Sequence, residues 1–353
     1  MSKKVLVAMS GGVDSSVAAY LLQKQGYECI GCTMKLYDNE DTGIPKGHTC
    51  CSLSDVEDAR SVAYRLNMPY YVFNYTEDFR HKVIDKFVSE YLSGRTPNPC
   101  IDCNRYMKFD LLYSRAKILG CEYIATGHYA IIKEAGDRYE LHRGLDASKD
   151  QGYVLYQLTQ EQLAHTLFPL GQLSKKEVRR IAEENGFLNA HKPDSQDICF
   201  VPDGDYSKTI ERFSGKQMPA GDFVDTDGKV IGRHKGIIHY TVGQRKGLGI
   251  SSQSPLYVCR IDPDTKEVVL GNKDSLYQDR MTVKDVNWIS GTSETKIKCN
   301  VKIRYRGPEL PCTVYLDRDR YTVIFDTPAR AITPGQSAVF YQNGIILGGG
   351  VIE

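Results

Sequence analysis

Hydrophobic and polar positions follow two different rhythms along this chain, and the change falls near residue 222. Before it, short apolar runs such as Val5-Leu6-Val7-Ala8-Met9 alternate with stretches whose apolar residues recur three and four positions apart. The runs predict strands over 5–9, 28–35, 70–74 and 122–126, the first of them a buried parallel strand. The stretches predict a first helix carrying Val17, Ala18, Leu21 and Leu22 and stopping at Gly26, then helices over 55–66, 78–92 and 106–119. Helix signals return over 160–186, where Ser174-x-x-Glu177 has the form of a capping box and is read as purely structural. Alternating strands and helices predict a doubly wound α/β domain, whose ligands bind at the carboxyl ends of the strands. The loop after Met9, Met34 and Gly127-His128 all fall at such ends.

After residue 222 the runs shorten and alternate. Strands are predicted over 237–240, 256–261 and 267–270, with Gly271-Asn272-Lys273-Asp274 as a connector and further strands over 296–305, 312–316, 322–325 and 337–341. The chain is therefore expected to hold an α/β domain with a helical extension over 1–205, a central β domain over 206–278 and a β-barrel-like domain over 279–353.

The 353 residues are 41% hydrophobic and 25% charged, which argues against disorder, and the net charge of +1 confines any nucleic-acid site to a local patch. No apolar stretch approaches a membrane span and no export signal is visible, so the expected location is the cytoplasm. There, eleven cysteines point to reduced thiols, metal binding or redox catalysis rather than to a disulfide scaffold.

The candidate chemistry begins at Ser10-Gly11-Gly12-Val13-Asp14-Ser15-Ser16. Two glycines at a strand-to-helix turn let backbone N–H groups converge on an anion, and the serine hydroxyls add donors. The Gly-x-x-x-x-Gly-Lys-Ser/Thr pattern and its lysine are missing. The segment resembles the Ser-Gly-Gly-x-Asp-Ser loop of the ATP pyrophosphatase superfamily, which implies cleavage of ATP between the α- and β-phosphates.

A second unusual stretch is Asn98-Pro99-Cys100-Ile101-Asp102-Cys103-Asn104. Two prolines precede a helix pattern, so Cys103 is expected near a helix N-terminus, where a thiol pKa is lowered. Cys199 lies far along the chain in Asp194-Ser195-Gln196-Asp197-Ile198-Cys199-Phe200. Packing is expected for Cys29, Cys32, Cys121, Cys259, Cys299 and Cys312, and a loop without chemistry for Cys50-Cys51 beside His48. Cys-x-x-Cys alone fits a redox pair, half a zinc site or part of an iron–sulfur site.

These segments, with Thr126-Gly127-His128-Tyr129, Lys149-Asp150-Gln151, Gly243-Gln244-Arg245-Lys246-Gly247-Leu248-Gly249 and Thr333-Pro334-Gly335-Gln336-Ser337, resemble the tRNA-specific 2-thiouridylases in order and over nearly the whole chain. The resemblance implies ATP-dependent replacement of the C2 oxygen of a wobble uridine by sulfur. It implies that Ala8, Met9, Ser10, Gly11, Gly12, Val13, Asp14, Ser15, Met34 and Gly127 hold ATP, with Mg²⁺. By the same resemblance Asn98, Pro99 and Cys100 lie beside the target base, and His128, Lys149, Asp150, Gln151, Arg304, Tyr305 and Gln336 contact tRNA. Cys103 is implied to be the catalytic cysteine and Cys199 the persulfide carrier, supplied by a cysteine desulfurase or a sulfur relay protein. Many members have Asp at the position of Cys100 and Ser at that of Gly152.

Two chemistries remain open at this point: a Cys199 persulfide resolved by Cys103, for which the Cys199 loop must move, or a [4Fe–4S] cluster on Cys100, Cys103 and Cys199. So does a different acceptor, since a superfamily ligase acting on a small acid shares the opening loop. Residues 228–261 contain no acid but do contain Lys229, Arg233, Lys235, Arg245, Lys246 and Arg260, and Lys302, Arg304 and Arg306 form a similar group around Tyr305. Both are expected to face phosphates.

Overall fold

The first apolar run becomes β1 (Lys4–Ala8), at the centre of a parallel sheet in the computed structural model, which describes residues 2–38, 53–194, 197–201, 204–291, 294–317 and 320–353. Val5, Leu6 and Val7 are fully buried because helices cover both faces of a parallel strand. β1 pairs on one side with β2 (Glu28–Lys35), which pairs with β3 (Tyr70–Asn74). On its other side lie β4 (Tyr123–Ala125) and, once the hairpin β5 (Ala130–Ala135) and β6 (Arg138–Arg143) has been made, β7 (Thr166–Leu167). The order β3-β2-β1-β4-β7 reverses direction between β1 and β4, which is where an open α/β sheet forms its crevice.

Helix α1 (Val13–Lys24) turns Val17, Ala18 and Leu22 onto the sheet. Ala59, Val62 and Ala63 of α2 (Leu53–Arg65) join the same core, as do Val178 and Ala182 of a later helix at Lys175–Glu184. The region predicted as one helix over 78–92 is a short helical turn, a π-helix at Arg80–Ile84 and α3 (Asp85–Leu92). Likewise Pro99–Asp102 is a helical turn that opens into a nine-residue π-helix, Cys103–Leu111, before α4 (Leu112–Ile118). The stretch 160–186 resolves into α5 (Gln160–Ala164), β7 and α6 (Lys175–Glu184). Both helices start on a capping box, Thr159 with Gln162 and Ser174 with Glu177.

The described chain divides into two compact units. The first takes in the segment up to Val83 with Cys100–Gly204 and Asn343–Leu347, and the second Ile84–Pro99, Asp205–Gln342 and Gly348–Glu353. In the second unit, α7 (Tyr206–Ser214) precedes a four-stranded sheet of β8 (Gly221–Val224), β9 (Val230–His234), β10 (Tyr257–Asp262) and β11 (Glu267–Gly271). The predicted strand over 237–240 is instead a single 3₁₀ turn, Ile237–His239. Gly236, at φ +127°, turns the chain while its N–H donates to Nδ1 of His234 at 3.0 Å, and both isoleucines are buried. Then β12 (Tyr277–Trp288), β13 (Lys296–Lys302), β14 (Leu310–Asp317), β15 (Arg320–Arg330), β16 (Ser337–Gln342) and β17 (Ile345–Ile352) form a barrel, closed where β17 pairs back onto β12. The start of β17 belongs to the first unit, where Ile345 and Ile346 pair with His142 and Leu141 of β6.

Candidate functional site

The loop after β1 sits at the sheet's switch point, and residues from far along the chain hold it there. Met9 donates its N–H to the Cys32 carbonyl at 2.7 Å and accepts from Thr33 Oγ1 at 2.6 Å, which fixes the exit of β1 against β2. Gly11 has φ +72°, and a Cβ there would overlap the Asp55 backbone, so only glycine fits. Gly12 caps α1 without a side-chain bond. The hydroxyls of Ser15 and Ser16 donate to the Gly12 carbonyl at 3.1 Å, and Ser15 Oγ accepts the Ser10 N–H at 3.2 Å. Asn189 donates to the Gly11 carbonyl at 3.0 Å and to Ser16 Oγ at 2.9 Å. Its own Oδ1 is buried with no acceptor bond. Lys192 is anchored by Asp55 and, at 2.6 Å, by Asp58.

Gly127, following β4, closes the crevice from the other side: a Cβ there would lie 2.8 Å from the Ser15 nitrogen. Ala8, Met9, Ser10, Gly11, Gly12, Val13, Asp14, Ser15 and Gly127 therefore form one continuous feature. Met34 is a buried residue of β2, two positions beyond the Cys32 that Met9 bonds. Asp14, in the first turn of α1, accepts from the Tyr129 hydroxyl at 2.7 Å and from Lys175 Nζ at 2.7 Å on each oxygen. Burial, with the Asp14 charge beside it, pushes the Tyr129 hydroxyl far above its ordinary pKa, so it stays a donor.

His128 is buried in the first unit, 6% exposed, with Nδ1 2.6 Å from Thr126 Oγ1, Nε2 3.5 Å from Lys108 Nζ and Phe109 and Phe168 against its ring. Burial and then the Lys108 charge hold it well below 6.5, so it is neutral. Of the three residues at 149–151, Lys149 pairs with Asp194 at 2.7 Å, and Asp150 Oδ1 accepts the Gly144 and Gly152 N–H groups. Gln151 Oε1 accepts the Tyr129 N–H at 3.0 Å, so this segment supports the Asp14–Tyr129 contact from behind.

The thiols are held differently from the expectation. Cys103 opens the π-helix and is half-buried; burial pushes its thiol up, Lys108 opposes this and Asp102 adds to it. The predicted lowering at a helix N-terminus is thus overturned, because desolvation outweighs the favourable charge. Cys100, one turn earlier, is exposed. Cys199 is half-buried in a turn whose carbonyl accepts from the Tyr37 hydroxyl at 2.8 Å, and Phe200 beside it packs edge-on against Phe79. Among the described residues no three His, Cys, Asp or Glu side chains converge as a metal site, so Cys100, Cys103 and Cys199 are not gathered for a cluster. The hard oxygens of Asp14 suit a magnesium ion carried in on a triphosphate, which needs only one or two protein carboxylates. The pair Cys50-Cys51 and His48, and Ser195 and Gln196, lie outside the described residues.

In the second unit, Asn98 is half-buried and Pro99 buried at the end of a segment held from below. The Thr96 carbonyl accepts from Gln336 Nε2 at 2.7 Å, the Thr96 N–H donates to the Pro334 carbonyl at 2.8 Å, and Gly335 at φ +89° packs on the Thr96 backbone. Arg304 spends its guanidinium on the Val242 and Ala331 carbonyls and Thr333 Oγ1, and Tyr305 beside it is half-buried. Gln244 clamps its own turn, accepting the Thr241 N–H and donating to the Lys246 carbonyl, both at 3.0 Å, and so presents Arg245 and Lys246 exposed to solvent. Arg233 and Arg260 are instead paired with Asp222 and Asp262.

Sequence reasoning missed Lys175, Tyr129, Asn189 and Tyr37. The capping box already placed Lys175 at the first position of a helix, but nothing local said which loop it would meet.

The family described as the tRNA methyl transferase HUP domain matches residues 3–203, its PRC-barrel domain 207–272, and the aminomethyltransferase beta-barrel domain 278–352. A tRNA-specific 2-thiouridylase MnmA of Clostridioides difficile is 51% identical over 357 residues, covering 100% of this chain and 99% of that protein. One from Clostridium kluyveri is 51% identical with 100% of both chains covered, and one from Acetivibrio thermocellus 52% identical with 99% of both covered. With identity at this level running from end to end, the chain belongs to the tRNA-specific 2-thiouridylase family.

Proposed function

We propose that this chain is an ATP-dependent sulfurtransferase that replaces the C2 oxygen of the wobble uridine of tRNA by sulfur. The observation that carries the reading is a backbone-built anion loop at the switch point of a sheet, in a unit that also carries the thiols Cys103 and Cys199. An amide-like C2 oxygen leaves poorly, and adenylation makes it a good leaving group. That oxygen attacks the α-phosphorus of ATP, the bond to the bridging oxygen breaks, and pyrophosphate departs with the electron pair. Backbone N–H groups of Gly11 to Val13 and the positive end of α1 stabilise the charge that develops there. Magnesium, when bound, neutralises phosphate charge, and Asp14 is the carboxylate that suits it.

Sulfur arrives as a persulfide on Cys199 from a cysteine desulfurase or a relay protein. The Cys103 thiolate attacks Cys199 Sγ, the persulfide S–S bond breaks, and hydrosulfide leaves. Hydrosulfide adds to C2, AMP carries off the oxygen, and the proton lost from N3 on adenylation is regained from the hydrosulfide. A cellular dithiol then reopens the Cys103–Cys199 disulfide. Lys108 is the charge that favours the Cys103 thiolate against burial. This order needs only two thiols, with the Cys199 turn moving to bring its Sγ to disulfide distance of Cys103, and no step is routed through an iron–sulfur cluster. The division at 1–205, 206–278 and 279–353 belongs to the same reading, with activation in the first part and tRNA binding in the other two, and the reduced thiols suit the cytoplasm. Asn98, Pro99 and Cys100 are assigned to the target base, Arg245 and Lys246 to phosphates, and Arg304 and Gln336 to shaping that surface.

Hypomodified tRNA, ATP, Mg²⁺ and a persulfide donor should yield tRNA-dependent pyrophosphate and 2-thiouridine. Pyrophosphate without thiolation points to an adenylating ligase, and neither product points to a binding protein.

A further inference from the structure

The opening loop lacks the lysine that Gly-x-x-x-x-Gly-Lys loops use to reach the terminal phosphates. The fold brings one from 161 residues away. Lys175 is the first residue of α6, its backbone N–H fixed on Asp146 Oδ2 at 3.0 Å and its helix start set by the Ser174–Glu177 box. Its side chain is 12% exposed, and Nζ lies 2.7 Å from both oxygens of Asp14 and 2.8 Å from Asp194 Oδ1. The ammonium is therefore seated at the first turn of α1, where the loop would meet an anion.

Neither carboxylate depends on Lys175 alone. Asp194 also binds Lys149 at 2.7 Å and Arg179 at 3.0 Å, and Asp14 also accepts from Tyr129 at 2.7 Å. Burial raises the Asp194 carboxyl, yet Lys149 and Lys175 more than offset it and hold it at about 2, so it is ionised and paired throughout the neutral range. An ammonium whose partners all have second partners can leave one of them for a stronger anion at low cost.

We propose that Lys175 is the cation that grips the β- and γ-phosphates of ATP at this loop, exchanging Asp14 for phosphate oxygens when the nucleotide binds and neutralising the pyrophosphate as it departs. This rests on the ATP-cleaving reading above. In the test, the full chain and its Lys175→Met and Lys175→Arg variants are titrated calorimetrically with ATP, AMP and inorganic pyrophosphate in Mg²⁺, with melting temperature followed alongside.

Lys175→Met should weaken ATP and pyrophosphate binding at least tenfold, leave AMP binding within twofold, and lower the rate of tRNA-dependent pyrophosphate release. Lys175→Arg should recover part of the pyrophosphate affinity. Wild-type pyrophosphate affinity in Lys175→Met, or an equal loss for AMP together with a lower melting temperature in both variants, would overturn the proposal in favour of a strut between α6 and α1. Failure of the wild-type chain to bind pyrophosphate would overturn it as well. If instead the wild-type chain binds pyrophosphate but releases none from ATP with tRNA present, the ATP-cleaving reading fails while the comparison of variants still reports on Lys175.

Discussion

The two glycine-built loops of this molecule, Ser10–Gly12 in the first unit and Gly243–Gly249 in the second, solve different problems. The first is held by residues scattered over the sequence: Thr33, Asp55, Gly127 and Asn189. The second is pinned at its start, where Gly243 and Gln244 exchange backbone hydrogen bonds with Val258, and its tip is clamped by its own Gln244, which turns two cations outward. A loop that must present N–H groups to a phosphate within a few tenths of an ångström needs a rigid frame, and most of its surroundings are load paths for that frame. A loop that places positive charge near a polyanion needs an exposed turn rather than convergent N–H groups, because phosphate contacts fix position and orientation without reading a base. Substitutions in the first should therefore act all or none, and in the second by degrees.

The largest effect should come from Gly127→Ala. The added methyl must displace the Ser15 nitrogen, 2.8 Å from where it would sit, and tRNA-dependent pyrophosphate release should fall about 100-fold or more while tRNA binding stays near wild type. Equal activity of the two proteins would show that the first loop is as tolerant as the second. Replacing Arg245 and Lys246 together by Ala should weaken tRNA binding about tenfold and lower the slope of log K against log salt by about two, with pyrophosphate release at saturating tRNA unchanged. A binding curve unaltered across salt would remove this turn from the tRNA surface.

Acid separates the two regions next. His128 is neutral inside the first unit, with a folded pKa well below its ordinary 6.5, so below pH 6.5 the unfolded chain takes up a proton that the folded chain refuses. Stability is full above 6.5 and should decline as pH falls beneath it, and His128→Asn should flatten that decline in a pH series of thermal melts. The second loop contains no histidine or carboxylate, so tRNA affinity of the folded chain should change little over the same range. The smallest effect is expected from Gln244→Ala, which removes two hydrogen bonds within a turn: about 1 kcal/mol in stability and a few-fold in tRNA affinity, both measurable beside the double variant.

The sheet was legible because β1, β2 and β3 are continuous apolar runs between turn signals, and their residue ranges in the structure match the runs closely. Hidden from that reading were β5 to β9, β12 and β17. The last contains Gly348-Gly349-Gly350, a composition that argues against a strand, yet Gly348 and Gly350 are required because β12 backbone atoms approach too closely for a Cβ. The site was legible where chemistry is local, as at Ser10–Ser16. It was not legible at Lys175, Tyr129 or Tyr37, whose partners are distant in sequence, nor at Cys103, where burial reversed the sign that position on a helix suggested. In the basic stretch over 228–261 the charges are exposed, but two of its arginines have acidic partners that lie outside the stretch, Asp222 on the neighbouring strand for Arg233 and Asp262 on the same strand for Arg260.

The start of β17 has a consequence for how the chain comes to be folded. The hairpin β5–β6 is made from residues near 140, but the strand that completes its edge begins at Ile345. During synthesis the first unit must therefore wait, with one β edge open, until the ribosome has added some two hundred further residues, a delay of about ten to forty seconds at ordinary elongation rates. The enzyme's first unit to emerge is thus among the last to be finished, and the open edge of β6 is the place where a chaperone would be expected to meet it.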